Sequence, residues 1–289
     1  MGQIVALQAM RTQLHLSSSQ LTQYLLCGRK YQYSYVQGLT PTHTSINLLL
    51  GSAIHTALEH YYRNWMTAGE PLPLPELQRC FVEALALSLG QCSAPVRYRK
   101  ECSDIDQVAA LGKAMLAVFH EQVDLTGMTI EAVELPLSVP LRDEAGYERG
   151  YNLVGVVDLL LRDEQTGELI AIDHKTSRNS YSQAMCDDSL QMTVYALLLQ
   201  QQGYLNLGAG EIFNGRFQVL RKLKSPKYEE VTLTRDRADV QRLEQLCLDV
   251  LHAIDQRVFL PNYGWVCSDC GYRALCRGEG LTGLSLDSN

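Results

Sequence analysis

Apolar and polar positions alternate along this chain with two different periods. From about Gln20 to Tyr35, Leu21, Tyr24, Leu25, Gly28, Tyr31 and Tyr35 recur at helical spacing, with Gly28 the weak point of the stripe. Ser17-Ser18-Ser19-Gln20 in front of them is a helix N-cap signal. The stretch LLLGSAIHTALEHYYRNW, residues 48–65, is also helical, with Ile54, Leu58, Tyr61 and Tyr62 on one face. PLPLP, residues 71–75, breaks the chain. Residues 76–125 return to a helical pattern, clearest in QVAALGKAMLAVFHEQV. The period then shortens. MTIEAVELPLSV (residues 128–139), LVGVVDLLLRD (153–163) and LIAIDHKTSR (169–178) predict strands rich in apolar and β-branched residues. SLQMTVYALLLQQ, residues 189–201, predicts a helix, EIFNGRFQVL and YEEVTLT two more strands, and RADVQRLEQLCLDVLHAI a last long helix. Helix, sheet, helix and sheet in turn indicate an α/β protein.

The apolar strands have polar interruptions. LVGVVDLLLRD carries Asp158, and LIAIDHKTSR carries Asp173 and Lys175, two apart and so on one face. Between them Glu164-Gln165-Thr166-Gly167 reads as a hairpin turn. If Asp163 faces Glu168, paired positions sum to 331, and Asp158 faces Asp173. Their Cβ atoms would then lie roughly 4.5–5.5 Å apart. Facing carboxylates repel, and burial raises the pKa of one of them unless a cation sits between. Mg²⁺ or Mn²⁺ takes such oxygen ligands, with Lys175 beside it to hold a phosphate or the attacking water. The residues alone leave a plainer alternative open, an Asp–Lys salt bridge at a strand end near solvent. Glu134 interrupts the strand at 128–139 and reads equally as a further acid over this site or as an edge position facing water.

Composition narrows the classes. A chain of 289 residues with 46% hydrophobic content can bury a sizeable core. No apolar run reaches the roughly 18 residues of a membrane span, and MGQIVALQAM has no basic n-region or cleavage signature. A cytoplasmic protein is therefore expected. The net charge of −7 argues against a general nucleic-acid coat. It leaves room for a local basic groove, with candidate phosphate contacts at Arg97-Tyr98-Arg99-Lys100 and Arg221-Lys222-Leu223-Lys224.

Nine cysteines in such a chain suggest metal ligation before disulfides. WVCSDCGYRALC places Cys267, Cys270 and Cys276 in a C-x2-C-x5-C run, one ligand short of a four-coordinate site. Cys27, in QYLLCGRKYQYSY near Arg29 and Lys30, is the preferred fourth. Cys80, Cys92, Cys102, Cys186 and Cys247 read as ordinary buried or half-buried thiols. Spacing does not choose between zinc and an iron–sulfur cluster. Either would fasten an N-terminal segment (about 20–35) to a C-terminal one (about 260–280).

Together these residues resemble the PD-(D/E)XK nuclease superfamily. More narrowly they resemble its RecB-type branch, which includes CRISPR-associated iron–sulfur exonucleases and the nuclease domains of AddB-type helicase–nucleases. GSAIHTALE resembles the first motif, with His55 as metal ligand; GVVDLL the second, with Asp158; IDHK the third, with Asp173 and Lys175. QMTVYALLL resembles the Gln-x-x-x-Tyr helix, with Gln191 and Tyr195, and the four cysteines resemble the cluster ligands. The resemblance implies one restriction-endonuclease-like domain over 1–289, a central mixed sheet flanked by helices, with 70–127 a helical insertion. It implies a [4Fe–4S] cluster rather than zinc, and Mg²⁺ or Mn²⁺ held by His55, Asp158, Asp173 and the backbone carbonyl of His174. The implied activity is hydrolysis of DNA, with Lys175 at the attacking water and Gln191 and Tyr195 positioning the DNA backbone or Lys175. Helicase, CRISPR, repair or recombination proteins are the implied partners. A non-catalytic DNA-binding or adaptor subunit is the main rival, and the presence of His55, Asp158, Asp173 and Lys175 together disfavours it. A small-molecule redox protein is a weaker rival, since no nucleotide-binding glycine loop is present.

Overall fold

The computed structural model describes residues 14–98, 102–143 and 145–279. The opening segment read for a signal peptide, and Arg99 and Lys100 of the first basic run, lie outside these residues. The chain begins with β1 (His15–Ser17) and α1 (Ser18–Leu26). Ser17 is the N-cap, its Oγ accepting from the Gln20 backbone N–H at 3.3 Å. The helix expected to run to Tyr35 breaks at Cys27, which is extended (φ −165°, ψ 101°). α2 (Gly28–Tyr31) and a π turn (Gln32–Val36) follow. The break answers the weak point in the apolar stripe. A Cβ on Gly28 would lie 3.0 Å from the backbone nitrogen of Leu260, and Arg29 N–H donates to Leu260 O at 3.2 Å. Gly28 thus lets the C-terminal segment reach the backbone here.

β2 (Thr44–Ser45) precedes α3 (Ile46–Ala68), whose predicted face, Ile54, Leu58, Tyr61 and Tyr62, is fully buried. Gly69 in the left-handed region (φ 78°) closes that helix. The helical stretch after the prolines is two helices, α4 (Leu74–Gly90) and α5 (Ile105–Gln122). Between them β3 (Val96–Arg97) pairs with β2, and Asp104 caps α5 through the Gln107 N–H. Thereafter come β4 (Met128–Arg142), β5 (Glu148–Asp163), β6 (Leu169–Ser177), α6 (Gln183–Asp187) and α7 (Leu190–Gln201). β7 (Phe213–Arg221), β8 (Lys227–Arg235), α8 (Arg237–Asp255), a 3₁₀ turn (Trp265–Cys267) and α9 (Arg273–Arg277) complete the described chain.

The main sheet is mixed. β4 and β5 are antiparallel, as are β5 and β6 and β7 and β8, while β6 and β7 run parallel through the α6–α7 crossover. β1 joins β5 in parallel at residues 152–154. Helices cover both faces. α1, α7 and α8 pack one core around Leu21, Tyr195, Leu198, Phe217 and Val250. α3, α4 and α5 pack the other around Tyr61, Tyr62, Phe81, Leu116 and Phe119. Most of the predicted 70–127 insertion is therefore the layer that covers one side of the sheet.

Candidate active site

The β5–β6 hairpin has the expected register, from Arg162↔Leu169 to Leu159↔Ile172, with the Asp163 N–H donating to Glu168 O across the turn at 2.9 Å. Asp158 and Asp173 come next, and there the ladder opens. β5 is paired to β6 over 159–162 and to β1 over 152–154, so among the described residues its edge between these has no neighbouring strand. Side chains satisfy what the ladder leaves. Tyr195 donates its hydroxyl to Val156 O at 2.7 Å, and the His174 N–H donates to Asp158 Oδ2 at 2.8 Å. α7 must lie close on the sheet for Tyr195 to reach, and Gly155 permits it: a Cβ there would meet Leu198 Cδ1 at 2.8 Å.

The opposite edge of β5 changes at the same level. Leu135↔Val157 both face the α7–α8 core, whereas Val133↔Leu159 both face the α3–α5 core. Regular alternation would keep both pairs on one face. The reversal takes place at Glu134 and Asp158, which stand abreast between the two pairs. Glu134 adopts φ 50°, in the left-handed region where a residue with a Cβ is strained. Backbone strain of this kind costs about 1–3 kcal/mol and is found where surrounding structure holds it in place.

Three acids therefore cross adjacent strands: Glu134 on β4, Asp158 on β5 and Asp173 on β6. Asp158 is 8% exposed and Asp173 2%. α3 brings His55 over them, with its Nδ1 3.3 Å from Asp158 Oδ2. Ligand atoms of His55, Glu134 and Asp158 all lie within 4.8 Å of one another, close enough to share one ion. Asp173 is held differently. Its Oδ1 lies 3.1 Å from the Tyr195 hydroxyl, whose one proton it shares with Val156 O, and its Oδ2 lies 2.6 Å from Lys175 Nζ. The Asp–Lys salt bridge weighed from sequence is thus real, but it sits beside a buried carboxylate rather than at a solvated strand end.

The electrostatics follow from this crowding. Burial, then Asp158 and Glu59, push the Glu134 carboxyl up to about 8. Asp158 rises well above the carboxylate range, first through burial and then through Asp173. Burial lowers His55, favouring the neutral imidazole that a metal takes. Burial also opposes the charge on Lys175, but Asp173 and Asp158 outweigh it and hold its pKa above the ordinary value. Two acids whose ionisation burial and neighbouring carboxylates oppose, a histidine pushed toward its neutral form and a fixed ammonium make a site in want of a cation.

The remaining sequence candidates divide. Gln191 lies at the rim of a groove that also contains Lys175, Tyr181 and Phe217, and its Oε1 accepts from Ser18 Oγ at 2.5 Å. His174 turns its ring away from Asp173 and Lys175, toward α3, where it stacks on Tyr62 (centroids 5.4 Å apart, planes 6° apart) and lies 6.0 Å from the His55 ring. Only its backbone faces the acids. The basic runs are largely engaged elsewhere: Arg97 pairs with Asp269 at 3.0 Å, Arg221 with Glu229 at 2.6 Å, and Lys222 donates to Asn47. Glu134 resolves toward the site. Ser18, read from sequence only as part of the N-cap signal, joins α1 to the Gln191 helix.

The four selected cysteines line one pocket. Cys27 supplies the break after α1, Cys267 ends the 3₁₀ turn and Cys276 lies in α9. All four are free, half-buried thiols. Burial raises the Cys276 thiol, and Cys27, Cys267 and Cys270 raise it further, as thiols gathered around one point must. Of the others, Cys186 and Cys247 are buried and Cys80, Cys92 and Cys102 half-buried.

The chain belongs to the PD-(D/E)XK nuclease superfamily, whose model matches residues 15–277. Its fold is similar to a crystal structure described as a "putative exonuclease" from Eubacterium rectale. That likeness has a TM-score of 0.52 at 10% identity, covering 95% of this chain and 90% of that one. The crystal structure of SSO0001 aligns with a TM-score of 0.33 at 15% identity, over 90% of this chain and 97% of its own. No curated protein matches the sequence. No helix among the described residues is long and apolar enough to cross a membrane.

Proposed function

We propose that this chain is a divalent-metal-dependent deoxyribonuclease of the RecB-type branch, acting from DNA ends, and that it works in the cytoplasm. The observation that carries this reading is the group of Glu134, Asp158, Asp173, His55 and Lys175 around one opening in the sheet. His55, Asp158 and Glu134 offer neighbouring ligand atoms for Mg²⁺ or Mn²⁺, and Asp173 and the backbone carbonyl of His174 complete the expected set. A cation bound there would polarise a phosphoryl oxygen and lower the pKa of its water. The protein's own groups do the rest. The His174 N–H fixes the rotamer of Asp158, and the Tyr195 hydroxyl fixes Asp173. Lys175, held charged by Asp173, stabilises negative charge as it develops on the phosphate or orients the attacking water. Gln191, positioned by Ser18, contacts the DNA backbone. Against the adaptor reading stand the His55–Glu134–Asp158 group and the Lys175–Asp173 pair beside it.

The four thiols fit a [4Fe–4S] cluster. The support for this is that all four line one pocket, and the choice of cluster over zinc rests on the family resemblance. When bound, the cluster would clip the α1–α2 break to the 260–276 segment.

Digestion of end-labelled linear and closed circular DNA with Mn²⁺ tests the activity. Linear DNA is degraded from its ends and the circle persists. Asp173→Ala and Lys175→Ala give folded, iron-containing, inactive protein, and wild-type cutting by either variant would show the site is misplaced. Anaerobically purified protein is brown, and Cys276→Ser loses the broad visible band. Colourless protein with stoichiometric zinc would overturn the cluster and leave the nuclease reading intact.

A further inference from the structure

Arginines on this protein are usually neutralised. Arg63, Arg142, Arg162, Arg216 and Arg221 each lie within 2.6–3.0 Å of a glutamate oxygen. The rim of the cysteine pocket differs. Arg29, Lys30, Arg273 and Arg277 line it, and none forms an ion pair with a carboxylate among the described residues. In a chain of net charge −7 this is a concentrated positive surface. Two large aromatic side chains stand beside it in water. Tyr263 lines the same pocket and is 65% exposed, and Trp265, two residues on, is 81% exposed.

Resting on the nuclease reading above, we propose that this rim is a docking surface for single-stranded DNA on its way to the active site. The cations take the phosphates, and Tyr263 and Trp265 stack on unpaired bases. Phosphate-binding cations interleaved with stacking aromatics are how proteins hold a single strand without reading its sequence. The rim and the active-site groove meet at Cys27 and Leu26, consecutive residues of the chain. α1 connects them: Ser18, Thr22 and Gln23 border the groove that holds Lys175, and Cys27 at the other end opens the rim. Nine helical residues span roughly 14 Å, so one strand laid along α1 reaches from rim to Lys175. Asn262 Nδ2 ties the two parts by donating to Leu26 O at 2.9 Å. Balancing the charge of a thiolate-bound cluster accounts for nearby cations but not for exposed aromatics. Arg273 and Arg277 are also turned to solvent. A duplex offers phosphates but no free base faces, so the surface selects single strands.

The test is binding, not cleavage. The full-length Lys175→Ala protein, cluster-loaded and without divalent metal, is titrated into a fluorescein-labelled 20-nucleotide single strand and into the matching duplex. The single strand binds more tightly. Adding Trp265→Ala or Tyr263→Ala weakens it roughly 5- to 100-fold, the range for loss of one stacked base. Adding Arg273→Gln with Arg277→Gln lowers the slope of log affinity against log salt by about 1.4, two phosphate contacts on a single strand. Iron content and visible spectrum, measured on each variant, stay at the parent level. Unchanged affinity in iron-replete aromatic variants, equal loss for duplex, or preference for poly-glutamate over the oligonucleotide would each overturn the proposal. A rim that binds as described in a wild-type protein that cuts no DNA would sink the nuclease reading alone.

Discussion

Replacing Glu134 by Gln separates the two roles of the acid cluster by the sign of its effect. Gln keeps the shape and removes the ionisation. In the folded protein the Glu134 carboxyl titrates at about 8, against an ordinary value of 4.5. Such a group stays protonated in the native state after the unfolded chain has released its proton. It adds nothing below about pH 4.5, and it destabilises the fold progressively as pH rises toward 8. At pH 7 the gap is 2.5 units, and at 1.36 kcal/mol per unit that is about 3 kcal/mol. This is an upper value, because adjacent Asp158 shares the titration. Metal-free Glu134→Gln is therefore more stable than wild type at pH 7, by up to roughly 5 °C in Tm for a chain of this size, and no more stable at pH 4.5. Mn²⁺ inverts the order: it stabilises wild type, increasingly as pH rises from 5 to 8, and stabilises the variant much less. Differential scanning calorimetry at several pH values, with and without Mn²⁺, reads both effects. A variant less stable than wild type without metal at pH 7, or equally stabilised by Mn²⁺, would refute the assignment of Glu134 to the metal site.

Two further substitutions probe the supports. Ser18→Ala removes the hydroxyl that holds Gln191 and lowers kcat about tenfold with iron content unchanged, whereas Ser18→Thr restores most of it; equal kcat in all three proteins would remove Ser18 from the positioning machinery. Gly155→Ala places a methyl 2.8 Å from Leu198 Cδ1 and destabilises by about 1–3 kcal/mol, measured by urea unfolding, with activity lost as α7 and Tyr195 are displaced.

Much of this was legible in the sequence because the elements are strongly periodic. The strand at 153–163, the hairpin register and the face of α3 follow from spacing alone. The turn does not carry the pairing on to Asp158 and Asp173, because the ladder opens just before them. The Gln191–Tyr195 spacing foretold a shared helix face, but not that Tyr195 would fill a gap in the sheet. That gap exists because β1 and β6 share one edge of β5, a long-range arrangement that no local pattern encodes. Glu134 could not be placed for the same reason. In regular alternation its neighbours Val133 and Leu135 share a face, and here they do not. The break at Cys27 is similarly tertiary. The periodicity of α1 continues through it, and only the approach of Leu260 ends the helix.

The early segment has consequences for how the protein is made. β1 finds its strand partner at 152–154, Ser18 finds Gln191, and Cys27 finds the thiols of 267–276. During synthesis, residues 15–36 emerge well before these partners, and Cys27 waits until some 240 more residues have followed. If the proposed cluster forms, the last fastening is a late event, when iron and sulfide meet the thiols of 267–276, and cells short of either would accumulate a body with an unfastened front end.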